Sequence, residues 1–337
     1  MALIAGLSVL AVGLELAGFD AGLALGAMWR GAFGSWYALT SATLVRAIPL
    51  ILIGLGISFA FRAGVFNIGA EGQFYAGAIA ATWLGVQTQG WFAPLAITVP
   101  LAGAIVAGGL WIAVPTWLRV RLGVLEVIST LLLNFVAEAL VSLMVQGPLQ
   151  EARGVYPQSD PIATHARLPF LPGTRLHVGF LLVLLLSLAL AFVLGRTLWG
   201  FRLRAAGANP TAAWVSGRIA VPRLLVVALV GSGMMAGLAG GMEISGVTFA
   251  LYQNLSPGYG FTAIAVALLA RLNPLVVILT GVLFAALETG ASAMQREAAI
   301  PAASVFVVEA VVIIVVLLTE SFTRRAFATR STAAGTA

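Results

Sequence analysis

Residues 67–78 read Asn67-Ile68-Gly69-Ala70-Glu71-Gly72-Gln73-Phe74-Tyr75-Ala76-Gly77-Ala78. Four polar or charged side chains and three glycines here break into long apolar runs on either side. In a membrane, a Glu and a Gln at such a place are tolerable only where they line a protein-enclosed cavity, cap a helix or meet a partner. The rest of the chain decides whether a membrane is the right setting.

Of 337 residues 61% are hydrophobic and 9% charged, and the mean hydropathy is +1.04. A soluble domain carries about 25% charged residues, so the composition specifies an all-α polytopic membrane protein with room for about eight to eleven spans. The net charge of +6 comes from arginine alone, because the chain has no lysine. Nucleic-acid binding needs a basic patch on a soluble face, and these arginines sit in short loops between apolar runs. Cysteine is absent, which excludes disulfides, thiolate metal sites and thiol nucleophiles.

Apolar runs mark about ten spans, near residues 3–18, 39–61, 67–86, 93–118, 124–145, 177–195, 223–242, 258–270, 274–293 and 302–320. The first run has no positive lead and no cleavage site, and reads as a span rather than a removed signal. An N-terminus on the cytoplasmic side puts twelve arginines inside (62, 119, 121, 196, 202, 204, 218, 223, 271, 324, 325 and 330) against five outside (30, 153, 167, 175 and 296), with Arg46 within a span. That asymmetry predicts both termini inside. Residues 20–34 read as an interfacial segment, and the proline-rich stretch 146–176 as an irregular extracytoplasmic loop, with His165 in it and His177 beside it, both expected in solvent.

Spans three and eight are unusual. The eighth holds about 13 apolar residues, roughly 20 Å of helix against a hydrocarbon core of about 30 Å. Its lead-in, Asn254-Leu255-Ser256-Pro257-Gly258-Tyr259-Gly260-Phe261, parallels that of the third: a polar glycine-rich break, an aromatic, then small residues. Since the third would run outward and the eighth inward, spans 2–5 and 7–10 are expected to be inverted repeats with broken helices at 3 and 8, an arrangement that transporters place around their pathway.

Glu126, Thr130, Asn134, Glu138 and Ser142 recur every fourth residue of span five, forming one slowly winding polar stripe. Either it hydrogen-bonds to neighbouring helices or it lines a hydrated pathway. Gly233, Gly237 and Gly241 give span seven a small-residue face for close helix packing. Glu71, Glu138, Glu288 and Glu309 are carboxyls in apolar runs, each costing at least about 3 kcal/mol if left facing lipid.

In the loop 196–222, Asn209 is a good N-cap, Pro210 suits the first helical position and Gly217 can close a short helix. Ala212, Ala213, Trp214 and Val215 of that helix would then be free to meet a partner protein. A P-loop needs a lysine, so any ATP chemistry belongs to another chain. No catalytic constellation is visible and no metal site is expected.

Several stretches together resemble the permeases of nucleoside and simple-sugar ATP-binding-cassette importers, within the ribose and branched-chain amino acid permease superfamily. They are Phe61-Arg62-Ala63-Gly64-Val65-Phe66-Asn67 with the stretch quoted first, Glu126-Val127-Ile128-Ser129-Thr130-Leu131-Leu132-Leu133-Asn134, Gly207-Ala208-Asn209-Pro210-Thr211-Ala212-Ala213, and Gly258-Tyr259-Gly260-Phe261 through Arg271 to Asn273-Pro274-Leu275. The resemblance covers residues 28–320. The chain departs from the family in lacking the usual basic residues before the first span.

The resemblance implies a single permease domain over residues 1–337 in a bacterial cytoplasmic membrane. Its implied partners are a second homologous permease, a cytoplasmic tandem-cassette ATPase that binds the ATP and Mg, and an extracytoplasmic substrate-binding lipoprotein. The loop around Gly207, Asn209, Pro210, Ala212, Ala213 and Gly217 would be the coupling helix that docks on the ATPase. Asn67, Glu71, Gln73, Phe74, Thr130, Asn134 and Glu138 are the candidate pathway residues, supplying hydrogen bonds and an aromatic face to a nucleoside or related sugar. The competing expectation is a proton-coupled secondary transporter using Glu71, Glu138 or Glu309.

Overall fold

The computed structural model describes residues 2–215 and 219–300 together with residues 310 and 314. Among these every regular element is helical, with two isolated bridges in place of a sheet. In chain order the helices are α1 (Ala2–Leu16), α2 (Ala21–Phe33), α3 (Leu44–Arg62), α4 (Ala70–Gln87), α5 (Ala93–Leu122), α6 (Glu126–Gln146), α7 (Gly179–Arg196), α8 (Leu198–Ala208), α9 (Pro210–Val215), α10 (Val221–Glu243), α11 (Tyr259–Leu269) and α12 (Pro274–Glu297). A π-helical turn, Ala38–Thr43, leads into α3, and another, Ile244–Thr248, extends α10.

Six of the helices among the described residues are long and apolar enough to cross a membrane: Ala38–Arg62, Ala93–Leu122, Glu126–Gln146, Gly179–Arg196, Val221–Thr248 and Pro274–Glu297. The chain is therefore a multi-pass membrane protein. Helices cover each of the first nine apolar runs. The tenth, 302–320, lies outside the described residues together with Glu309, as does Gly217.

The chain divides into two compact units, Leu44–Val282 and a smaller one made of Met1–Thr43 with Leu283–Ala337. In the smaller, Asp20 caps α2 by accepting the Leu23 N–H at 2.8 Å. Leu10 and Leu14 pack on Ala21, Ala24 and Ala27, and Arg30 pairs with Glu297 at 2.7 Å.

In the larger unit α3, α4 and α10 form the interior. The apolar window of α3 is 83% buried, whereas that of α6 is only 22% buried. The outward faces of α5, α6 and α7 are Leu, Val, Phe and Trp, as hydrocarbon requires. The small face expected on α10 is used: a Cβ on Gly233 or Gly237 would overlap backbone of α5 at Gly108 or Ala104, and one on Gly240 would overlap the Phe74 carbonyl of α4. Backbones touching at these points gain van der Waals packing where the hydrophobic effect gives none.

The proline-rich loop 146–176 is stitched to the segment after α10. Leu168 N–H donates to Ser245 O at 2.7 Å, Ile162 N–H to Phe249 O at 2.8 Å and Ser159 N–H to Leu251 O at 2.8 Å. His165 is exposed, as expected. His177 is not: it is 1% exposed, wedged where a Cβ on Gly179 or Gly246 would overlap its ring. The reason is that the loop folds back onto α10, so this histidine faces protein instead of water.

Candidate translocation site

After α3 the backbone leaves helical geometry at Gly64, whose φ of +80° suits glycine. It then runs non-helically to Gly69 before α4 begins. Its exposed backbone groups need partners, and the stripe on α6 provides them. Glu126 Oε1 accepts the Phe66 N–H at 3.1 Å, Thr130 Oγ1 the Ile68 N–H at 3.3 Å and Asn134 Oδ1 the Gly72 N–H at 2.8 Å, while Asn134 Nδ2 donates to Ile68 O at 2.9 Å. Arg119 Nε in turn holds Glu126 Oε2 at 3.1 Å. Since Glu126 and Asn134 are eight residues apart, the break runs about 12 Å along α6, and α4 begins beside the middle of that helix instead of at its end.

Asn67 completes the brace. Its Nδ2 donates to Gln73 Oε1 at 2.8 Å and Ser232 Oγ at 2.9 Å, and its Oδ1 accepts from the Gly69 N–H at 3.0 Å and Gln73 Nε2 at 2.9 Å. All four hydrogen bonds that an amide can make are in use. Asn67, Gln73, Thr130 and Asn134 are 0%, 1%, 1% and 4% exposed. Expected to face a solute, in this structure they bond the chain's own backbone and one another, because a broken helix leaves donors and acceptors that apolar side chains cannot satisfy.

Glu71 lies in the first turn of α4 and points at the first turn of α11. Its Oε2 accepts the Gly260 N–H at 2.6 Å, and the Ser256 hydroxyl donates to the same carboxylate. Ser256 Oγ accepts the N–H groups of Gly258 (3.1 Å) and Tyr259 (3.0 Å), capping α11. A Cβ on Gly260 would overlap the Glu71 backbone, so only glycine permits this approach. Two helix N-termini thus converge on one carboxylate, each contributing a positive dipole end. Phe74 fills the space beneath, fully buried and edge-on to Tyr259 at 5.8 Å.

Glu138 differs from its companions on the stripe. It is exposed on α6 and lies within electrostatic reach of Glu71 and Tyr75. It sits 12 residues into a 21-residue helix, near the middle of the span. Phe66 and Phe261, on the two lead-ins, are also 47% and 45% exposed. By contrast, the cleft of about 370 Å³ between α4, α5 and α6 is walled by Ala76, Ile79, Trp83, Leu110, Trp111 and Leu133. It offers a polar solute almost nothing to bind.

One further acid is buried within the larger unit. Glu243, near the end of α10, is 6% exposed, and Arg46 of α3 is the cation that acts on it. The available signal in the sequence is an arginine within one span and an acid near the matching end of another. Among the described residues no cluster of His, Cys, Asp and Glu could hold a metal ion.

At the other end, Asn209 Oδ1 accepts the Ala212 N–H at 3.0 Å and α9 begins at Pro210, as its residues predicted. Ala212, Trp214 and Val215 are exposed, but Ala213 is 6% exposed and packs with Ala206, Val221 and Leu224. Its expected place on a free surface is corrected: on so short a helix one face must seat it on α8 and α10. Gly207 is also inward, since a Cβ there would overlap the Arg62 carbonyl.

Over residues 39–317 the sequence matches the family described as the permease component of the branched-chain amino acid transport system. The chain belongs to this permease family. Among its relatives, the permease is 38% identical to the glucose ABC transporter permease protein of Haloferax volcanii, over 96% of this chain and 87% of that one. It is 36% identical to the guanosine ABC transporter permease protein of Bacillus subtilis, over 94% and 91%. It is 31% identical to a nucleoside ABC transporter permease protein of Lactococcus lactis, over 80% and 77%. The permease is accordingly the membrane-spanning subunit of an ATP-binding-cassette importer, a transport component.

Proposed function

We propose that the permease forms, with a second homologous permease, the pathway by which an importer carries a neutral polar ring compound, a nucleoside or related simple sugar, into the cell. The observation that carries this is Glu71 at the meeting point of the α4 and α11 N-termini. Half-helix N-termini within a membrane are ready sites for anionic solutes. Here the chain's own carboxyl group takes that place and occupies the Gly260 N–H, so this helix start offers an arriving anion no free donor, whereas a neutral solute needs none. Relatives named for guanosine, nucleosides and glucose support the same class.

The pathway wall in this reading is the exposed set Glu138, Phe66 and Phe261, with Asn67, Gln73, Thr130 and Asn134 behind it as braces and Phe74 as packing. Residues 1–337 act as one transmembrane permease domain of ten spans. The contact of α4 with α11, each preceded by a glycine-ended break, supports inverted repeats of spans 2–5 and 7–10. The arginine asymmetry supports both termini inside a bacterial cytoplasmic membrane, which makes 196–222 cytoplasmic and 146–176 extracytoplasmic. A tandem-cassette ATPase, binding the ATP and Mg, docks on α9 through Ala212, Trp214 and Val215, and a substrate-binding lipoprotein delivers the solute.

Reconstitution of the complete transporter in proteoliposomes tests the proposal. Labelled guanosine, uridine and glucose are offered with ATP, and separately with a pH gradient alone. ATP-dependent uptake of at least one, and no gradient-driven uptake, is expected. Accumulation driven by the gradient through this chain alone would overturn the proposal in favour of a proton-coupled carrier.

A further inference from the structure

We propose that α8 is a membrane-surface helix whose outward face binds an anionic phospholipid headgroup through Arg196 and Arg202, which flank an inserted apolar pair, Leu198 and Phe201. The helix begins immediately beyond a spanning helix. Arg196 ends α7, and Thr197 turns the chain, donating to Val193 O at 2.7 Å and accepting the Gly200 N–H at 3.1 Å. A Cβ on Gly200 would overlap the Val193 carbonyl, so α8 leaves α7 at a tight corner. Its first turn is therefore held at the level where hydrocarbon gives way to headgroups.

The faces of α8 are clearly divided. Gly200, Leu203 and Ala206, spaced by three, are buried against the protein, and Trp199 stacks on Phe59 of α3 at 5.6 Å. The opposite side carries Leu198 and Phe201, which are 77% and 59% exposed, and exposed Arg202, with Arg196 exposed at the helix start. Exposed apolar side chains can enter hydrocarbon here while the neighbouring arginines keep their charged heads at the headgroups, an arrangement open to long cationic side chains at a membrane interface.

Charge points the same way. Arg204 lies within electrostatic reach of Arg62, so cations crowd this end of the unit. Glu126 is taken up by Arg119 and the Phe66 N–H. A phosphodiester offers these arginines a counter-charge, and each arginine beside an anionic surface favours it by about fivefold. The proposed ATPase contact is on α9, at Trp214 and Val215, and does not require the outward face of α8.

The inference rests on the membrane reading, but nanodiscs with identical leaflets make its test independent of orientation, substrate and ATPase. Because the chain has no cysteine, the full-length variants Phe201→Cys and Trp214→Cys can each carry one NBD label, in phosphatidylcholine discs with or without phosphatidylglycerol. The Phe201→Cys label is expected to fluoresce blue-shifted and to be quenched by brominated acyl chains, and the Trp214→Cys label to remain water-like. Native mass spectrometry should show the preference for phosphatidylglycerol falling about 25-fold in Arg196→Gln/Arg202→Gln, with Arg→Lys at both positions retaining most of it. A water-like Phe201→Cys label, or one shielded only when ATPase is added, would overturn the proposal and make this face a protein dock. An unchanged lipid preference in the Gln pair would overturn the headgroup contact.

Discussion

The Glu71 carboxylate of α4 accepts the backbone N–H of Gly260 in α11 at 2.6 Å, joining the first turns of two helices 189 residues apart in sequence. Glu71→Ala would leave that N–H and the Ser256 hydroxyl without their acceptor in a buried site, at a cost of about 1–3 kcal/mol. Glu71→Gln keeps one acceptor oxygen and should lose less. Thermal unfolding followed by tryptophan emission should rank wild type above Gln above Ala. Equal stability of wild type and Ala would mean that the clasp contributes nothing.

Asn134 bonds both Gly72 N–H and Ile68 O, so Asn134→Leu removes a donor and an acceptor from backbone that has no water to turn to. A stability loss of about 2–4 kcal/mol is expected, with uptake falling in proportion to the folded fraction. Uptake lost at unchanged stability would instead place Asn134 in direct contact with the solute.

On α9 the informative position is Trp214, which is 67% exposed, rather than Ala213. Trp214→Ala should leave the unfolding temperature unchanged and weaken retention of the ATPase on the purified permease by at least tenfold, about 1.4 kcal/mol. Ala213→Arg should lower the unfolding temperature, since it forces a guanidinium between Ala206 and Val221. If both variants retain ATPase normally, α9 is not its dock.

Glu138 faces outward near the middle of α6. Glu138→Cys, on a chain with no other cysteine, should react with a membrane-impermeant cationic thiol reagent in the assembled transporter, because a carboxyl at this depth is sustained by water or a polar partner. Failure to react both before and during turnover would remove it from the pathway.

Burial pushes the His177 imidazole down to about 4 from an ordinary value near 6.5. The unfolded loop binds a proton at higher pH than the folded one, so the favourable contribution of neutral His177 is complete above about pH 6.5 and lost as pH falls toward 4. Protection factors across residues 158–178, with exchange corrected for its intrinsic pH dependence, should fall as pH is lowered through that interval. His177→Phe should flatten the dependence, and an unchanged pH profile in that variant would assign it to other groups.

What the sequence determined by itself was everything set by local composition and period. Apolar run length placed nine of the helices, because hydrocarbon demands about 20 residues per crossing whatever the neighbours do. Asn209-Pro210 located the start of α9, since capping is a property of adjacent residues. The breaks before α4 and α11 were visible because glycine and polar residues interrupt an apolar run only for cause.

Only the tertiary structure decided what those polar residues face. The stripe of every fourth residue on α6 is equally compatible with water, a partner or the chain's own backbone; in the folded protein Glu126, Thr130 and Asn134 turn to the backbone, Ser142 is half-buried and Glu138 turns outward. Likewise nothing local brings Arg46 within electrostatic reach of Glu243, seats Ala213 inward or brings Gly260 onto Glu71. Each depends on which helices become neighbours, and in a membrane that choice is made by close backbone packing at glycines such as Gly237 and Gly240 and by the need to satisfy every buried donor, conditions that belong to the assembled fold and not to any one segment.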